Sequence, residues 1–180
     1  MNARTDAREA FPWRILGWGT AACLLLLPLV AGAPWTPSDY IVAACMLGSV
    51  GLVIELAVRA SASWSYRAGA ACAIGAAVLL FWVNGAVGFL GDEDNPANLV
   101  FAAVIATAAI GAALARFRPA GMARAMFAAA ALQVLIGVVA LAAGLGSPGA
   151  AGIYEAVLGT TLFATLWLIA AALFRKAARD

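Results

Sequence analysis

Residues 97–124 read ANLVFAAVIATAAIGAALARFRPAGMAR and contain the pattern that decides the fold. Residues 97–115 carry no charged side chain. At a rise of about 1.5 Å per residue they are long enough to cross the roughly 30 Å of hydrocarbon in a bilayer. Arg116, Arg118 and Arg124 follow directly, and arginines close to the end of a span are retained on the cytoplasmic side. The stretch therefore predicts a transmembrane helix followed by a cytoplasmic loop.

Five further apolar segments of similar length flank this one. Of the 180 residues, 65% are hydrophobic and 11% are charged, which a soluble domain could not accommodate because its surface must be polar. No segment alternates polar and apolar residues as a barrel strand does. We therefore expect an all-α, polytopic membrane protein, a single domain over 1–180 with six transmembrane helices. The predicted spans are approximately 15–32, 40–58, 68–90, 97–115, 122–145 and 153–174.

The charged residues separate into two sets along the chain, and this separation predicts the topology. All basic residues fall before the first span, after the sixth, or in the second and fourth loops. The remaining loops carry acidic residues instead, among them Asp39, Asp92 and Glu155. Because the basic side stays in the cytoplasm, both termini are expected there. The basic set is Arg4, Arg8, Arg14, Arg59, Arg67, Arg116, Arg118, Arg124, Arg175, Lys176 and Arg179.

The first segment has an alternative interpretation as a secretory signal peptide. It combines a basic start, an apolar core and a small-residue stretch, 31–33, that resembles a cleavage site. Pro34 directly after that site and Trp18 inside the core disfavour cleavage. If cleavage occurred, five spans would remain in the same orientation.

Catalytic and metal-binding residues are scarce. The chain has no histidine, and its three cysteines lie inside apolar segments without a Cys-x-x-Cys pair. No histidine, paired carboxylates or activated serine assemble at one depth, as intramembrane catalysis would require. We therefore expect no enzyme, no cofactor and no nucleic-acid partner.

Glu55 is an ionisable residue inside the second span, one turn from its cytoplasmic end. A carboxylate at membrane depth suggests an ion or proton site. The favoured alternative is an ion pair with Arg59, four residues later on the same helix. Gly48 and Gly51 lie on the same helical face and predict close approach by another helix.

Two carboxamides occupy deeper positions. Asn84 lies in the outer third of the third span, and Gln133 lies near the centre of the fifth. Because an unpaired amide in hydrocarbon costs several kcal/mol, we expect hydrogen bonds to other helices. Contact with a transported solute is the alternative.

The loop 91–98, GDEDNPAN, is the most polar feature of the chain. Asn95 followed by Pro96 predicts the start of the fourth span, because asparagine caps helices and proline suits the first turn. Asp94 would lie beside the positive end of that helix. Asp92 and Glu93, with Glu155 from a neighbouring loop, are weak candidates for a divalent-cation site.

Several short motifs in the middle third of the chain support a resemblance. They are Trp82-Val83-Asn84, Asp94-Asn95-Pro96-Ala97-Asn98 and the arginine-rich turn 115–125. The chain resembles a group of small uncharacterised integral membrane proteins of proteobacteria. This resemblance implies a bacterial inner-membrane location and carries over no catalytic residue.

Two functional hypotheses follow. The first is a channel or carrier for an ion or a small solute. The second is a non-catalytic membrane subunit or scaffold, which packs through small-residue helix faces against a second copy or another membrane protein. In both cases the lipid bilayer is the immediate partner.

Overall fold

The structure is a computed structural model that describes residues 13–86, 88–91 and 94–180. Over these residues it is entirely helical and contains no strand. Of the residues named above, Arg4, Arg8, Asp92 and Glu93 lie outside the described residues. The elements are α1 (Trp13–Val30), α2 (Pro37–Ala60), α3 (Trp64–Ala86), a 3-10 segment (Pro96–Phe101), α4 (Ala102–Leu114), α5 (Pro119–Ala143) and α6 (Ala150–Ala177).

Five helical segments are long and apolar enough to cross a membrane. They are α2, α3, the 3-10 segment continued by α4, α5 and α6. α1 is also apolar but shorter, with 18 residues. The prediction of an all-helical protein with several membrane-spanning segments is thus confirmed.

The helix bounds differ from the predicted spans where backbone chemistry intervenes. α3 ends at Ala86, four residues before the predicted end at Leu90. Gly88 then adopts a φ of 75°, and the amides of Phe89 and Leu90 donate to the side chain of Asn98 instead of continuing the helix. α5 begins at Pro119 instead of Met122, because proline fits the first helical turn.

The chain divides into two compact units, Met1–Leu52 and Val53–Asp180. In the first unit, α2 begins with a cap in which Thr36 donates its backbone N–H and its hydroxyl to Asp39, over 2.7 and 2.8 Å. The indole of Trp18 lies so close to Gly51 that an added Cβ would meet it at 2.8 Å. Gly51 therefore allows the close approach that the sequence predicted, whereas a Cβ added at Gly48 would meet nothing within 4 Å.

In the second unit, α5 is central and packs against α4 on one side and α6 on the other, while α6 also packs against α3. Small residues allow each approach. Gly111 of α4 lies against Ala125 of α5, Gly137 of α5 lies against Thr160 of α6, and Gly69 of α3 lies against Phe174 of α6. Because lipid tails are as apolar as the helix surfaces, the hydrophobic effect does not drive helices together in a membrane, and van der Waals contacts such as these hold them together instead.

The turn between α4 and α5 is strained and held in place by a buried tyrosine. Arg116 and Phe117 have φ values of 50° and 57°, a left-handed conformation that non-glycine residues rarely adopt. The hydroxyl of Tyr66, on α3, donates to the carbonyl of Phe117 over 2.8 Å. Tyr66 is itself buried, so packing and this hydrogen bond together fix the turn.

Candidate functional site: a cleft between α3 and α4

α3 and α4 face each other across two cavities instead of packing closely. We call the first, of about 590 Å³, the arginine chamber because Arg59 and Arg116 line it. We call the second, of about 470 Å³, the asparagine chamber because Asn84, Asn95 and Asn98 line it. Ile105 lines both chambers. The two cavities are therefore neighbours along α3 and α4 and share Ile105 as a lining residue.

The cleft follows most of the length of α3. Its wall on α3 extends from Tyr66 in the arginine chamber to Gly85 in the asparagine chamber. At 1.5 Å per residue this distance is about 28 Å, close to the roughly 30 Å thickness of the hydrocarbon core.

Alanines open the arginine chamber. Tyr66, Ala70, Ala73 and Ala77 follow helical spacing on α3 and form one wall. On α4, Ile105, Ala108 and Ala112 form the opposite wall with the same spacing. Because an alanine side chain ends at Cβ, two facing alanine rows leave space that leucine rows would fill.

Met122 and Met126 of α5 and Trp167 of α6 also line the arginine chamber. The remaining wall comes from the last turns of α2, with Val53, Leu56, Ala57, Arg59 and Ala60. Trp167 is fully buried, and its indole Nε1 has no hydrogen-bond partner among the described residues. Most buried indole N–H groups find a partner, so Trp167 supplies an unused donor in the wall of an otherwise apolar cavity.

The charges of this chamber are confined to one end. Arg59 forms an ion pair with Glu55 over 2.5 Å, which confirms the predicted pairing along α2. Arg116 is solvent-exposed and forms no ion pair within the part of the chain that the structure describes. No acidic residue lines the chamber among these residues. Arg116 is therefore its principal uncompensated cation.

Asn84 lines the asparagine chamber, but its hydrogen bond differs from the prediction. Its Nδ2 donates over 2.8 Å to the carbonyl of Leu80, in the same helix, whereas we expected a bond to another helix. The i−4 carbonyl is within reach of a short side chain and competes with any partner across the cleft. Its Oδ1 is buried without a partner among the described residues.

Gln133 is fully buried, and neither its Oε1 nor its Nε2 has a hydrogen-bond partner within the described residues. Gly137, one turn later in α5, faces Thr160 of α6. Because the two helices run antiparallel, Gln133 then lies level with Ala164, one turn further along α6. That residue offers no side-chain partner, so the expected bond to another helix is absent there.

Asn95 and Asn98, from the described part of the polar loop, form a structural clasp. Asn95 accepts a hydrogen bond from the amide of Ala97 over 3.0 Å, and Pro96 follows as the first helical residue, which confirms the predicted cap. The helix nevertheless starts as a 3-10 turn. Asn98 is buried, and its Oδ1 accepts from the amides of Phe89 and Leu90, both over 2.8 Å. No pattern in the sequence indicated this role of Asn98.

The remaining acidic residues singled out in the sequence do not form a metal site among the described residues. Asp94 is exposed at the asparagine chamber. Glu155 is exposed and accepts a long hydrogen bond, 3.4 Å, from Ser147. Asp92 and Glu93 lie outside the described residues. Among those described, no group of three or more histidine, cysteine or acidic side chains is close enough to hold a metal ion.

Comparison of the chain with models of protein families, with curated proteins and with solved structures finds no match. The class of protein is therefore defined by its own features, namely an all-helical chain with five segments able to cross a membrane and a cleft between two of them. The resemblance to the proteobacterial membrane proteins stays a prediction.

Proposed function

We propose that this protein is a multi-pass carrier of the bacterial inner membrane, which moves a small amphipathic solute along the cleft between α3 and α4. The observation that carries the proposal is the pair of neighbouring chambers, because together they extend over nearly the whole hydrocarbon thickness. No catalytic step is part of this proposal.

The proposed topology has six spans with both termini in the cytoplasm. The one-sided distribution of arginine and lysine supports it. α1, with 18 residues, is about 27 Å long, and a slightly short span is accommodated by local thinning of the bilayer. The arginine chamber then opens toward the cytoplasm and the asparagine chamber toward the outside.

The chemistry of the cleft favours an amphipathic solute over a hydrated ion. A permeating ion needs carbonyls or charged side chains to replace its water. Apart from Arg59 and Arg116, which would repel a cation, the arginine chamber instead presents mainly apolar side chains. Apolar walls with a few polar groups are typical of sites for organic molecules, whose usual volume range of about 300–1,000 Å³ includes both chambers.

Ile105 is the natural barrier in this proposal, since it borders both chambers. We expect Ile105→Trp to close the cleft and reduce transport at least about tenfold, as a rise of roughly 1.4 kcal/mol in the transport barrier would. The matched control is Ile110→Trp, because Ile110 lies on the same helix but is 59% exposed and lines neither chamber.

The assay is uptake into proteoliposomes of fluorescent long-chain carboxylates and amines, with glycerol and K⁺ as polar comparisons. Uptake of an amphiphile that Ile105→Trp abolishes and Ile110→Trp preserves supports the proposal. Equal uptake by all three proteins, or uptake of K⁺ alone, contradicts it.

A scaffold is the second candidate, and α2 is the feature that favours it. Ala57 is its only buried residue among the described ones, and the space beside Gly48 is open. An open small-residue face allows another transmembrane helix to approach. Disulfide crosslinking of a Gly48→Cys variant, in a background without the native cysteines, tests for a second copy. A strictly monomeric product in native membranes excludes self-association through this face.

A further inference from the structure

The arginine chamber is about as long as one leaflet of the hydrocarbon core is thick. Its α3 wall, from Tyr66 to Ala77, is about 16 Å long at the helical rise. This length is about half of the hydrocarbon thickness. A molecule whose polar group lies at the arginine end would therefore reach with its tail to the middle of the bilayer, where Ile105 lies.

The charge at the mouth defines which polar group fits. Arg116 is exposed there without an ion-pair partner among the described residues, and Arg59 is close to the same cavity. Guanidinium groups bind carboxylate and phosphate through paired hydrogen bonds. A cationic head would be repelled, and an uncharged head would leave Arg116 without a counter-charge.

The strained turn fixes the backbone from which the Arg116 side chain extends. Non-glycine residues stay in a left-handed conformation only where the surrounding structure holds them, and such sites often serve binding. Here the carbonyl of Phe117 accepts a hydrogen bond from Tyr66, which itself lines the chamber. The wall of the chamber and the position of Arg116 are thereby coupled.

We infer that the arginine chamber binds a single-chain anionic amphiphile of the fatty-acid class, with its carboxylate at Arg116 and its alkyl chain between α3 and α4. This inference deepens the proposed function by naming the class of solute, and it rests on that function for transport. A volume of about 590 Å³ suits one chain with a small head, which favours this ligand over a two-chain phospholipid.

Trp167 provides the spectroscopic readout, because it is buried in the wall of the chamber. Bromine atoms on an alkyl chain quench indole fluorescence at short range. The protein is placed in nanodiscs of zwitterionic lipid and titrated with dibrominated stearate. We expect saturable quenching, and we expect the saturable component to disappear in Trp167→Phe.

Two comparisons establish the charge requirement. Dibrominated stearyl alcohol, with the same chain and no charge, should bind the unaltered protein about tenfold more weakly, as for loss of a charge-assisted hydrogen bond. Arg116→Gln should weaken stearate binding to a similar extent. The matched control is Arg118→Gln, since Arg118 belongs to the same basic turn but does not line the chamber. Its effect should stay below about twofold, as for a screened surface charge.

Equal affinity of the unaltered protein for dibrominated stearate and dibrominated stearyl alcohol overturns the inference. This comparison does not depend on any variant being able to fold. Unchanged stearate binding in Arg116→Gln overturns it too, as does stronger competition by two-chain phosphatidylglycerol, which would indicate an ordinary membrane lipid. Saturable acid-selective binding without uptake into proteoliposomes refutes the carrier and keeps the site. Uptake of amphiphiles that ignores their charge refutes the solute class and keeps the carrier.

Discussion

Replacing Gln133 with methionine is expected to stabilise this protein, although it removes a polar group that membrane helices commonly use to associate. The side chain is fully buried, and both of its amide atoms lack a hydrogen-bond partner among the described residues. Methionine has a similar length and shape and similar helix propensity, so the substitution removes the amide while leaving little new space.

The magnitude follows from the unpaired groups. An unsatisfied buried donor or acceptor costs about 1–3 kcal/mol. The separated helices in a membrane find partners for such polar groups, so this cost falls on the folded state. We therefore expect the free energy of unfolding to rise by about 1–3 kcal/mol in Gln133→Met. If Gln133 instead bonded to a neighbouring helix, its loss would destabilise the protein by about 0.6–2 kcal/mol. The two interpretations thus differ in sign.

Unfolding in mixed micelles with increasing sodium dodecyl sulfate, followed by circular dichroism, measures this difference. Gln133→Ala is the internal comparison, because it removes the same amide but leaves a cavity, and should be less stable than Gln133→Met by the cost of that cavity. A lower stability of Gln133→Met than of the unaltered protein would refute the reasoning.

Two further predictions use the same unfolding measurement. Gly137→Ala should destabilise the protein by about 1–3 kcal/mol through overpacking, because its Cβ would overlap Thr160. The control is Gly75→Ala, where the added Cβ meets nothing within 4 Å, and it should be neutral or stabilise by about 0.5–1 kcal/mol. Equal effects of the two variants would mean that α5 and α6 are not in close contact. Asn98→Ala should lower the free energy of unfolding by about 1–3 kcal/mol, because the amides of Phe89 and Leu90 lose their acceptor. Asn98→Asp keeps an accepting oxygen and should recover much of this loss. Unchanged stability of Asn98→Ala would contradict the clasp.

The sequence predicted those parts of the site that depend on neighbours along the chain. Glu55 and Arg59 are four residues apart on one helix, so their ion pair could be foreseen. The cap at Asn95 and Pro96 is equally local. The prediction for Asn84 was wrong because its Nδ2 donates to a carbonyl of its own helix, and its Oδ1 has no partner among the described residues.

The cleft itself was not predicted, although its signal is present in retrospect. Ala70, Ala73 and Ala77 on α3 and Ala108 and Ala112 on α4 both follow helical spacing. Small residues at this spacing are equally typical of tightly packed helices, as at Gly111 and Gly137. Whether such a row meets a neighbouring helix or a cavity depends on the helix opposite, which sequence spacing does not specify.

By itself, the sequence determined that the chain is helical, that several of its helices are long enough to span a membrane, and where polar caps interrupt them. Hydropathy and capping are properties of contiguous residues, so they can be evaluated without knowing the fold. Only the tertiary structure decided that α5 packs between α4 and α6, that Gln133 is buried without a partner, and that Arg116 borders an apolar chamber with Trp167 in its wall. These features depend on how residues far apart in the chain are arranged around one another, and many arrangements of the same apolar helices satisfy the same hydropathy pattern.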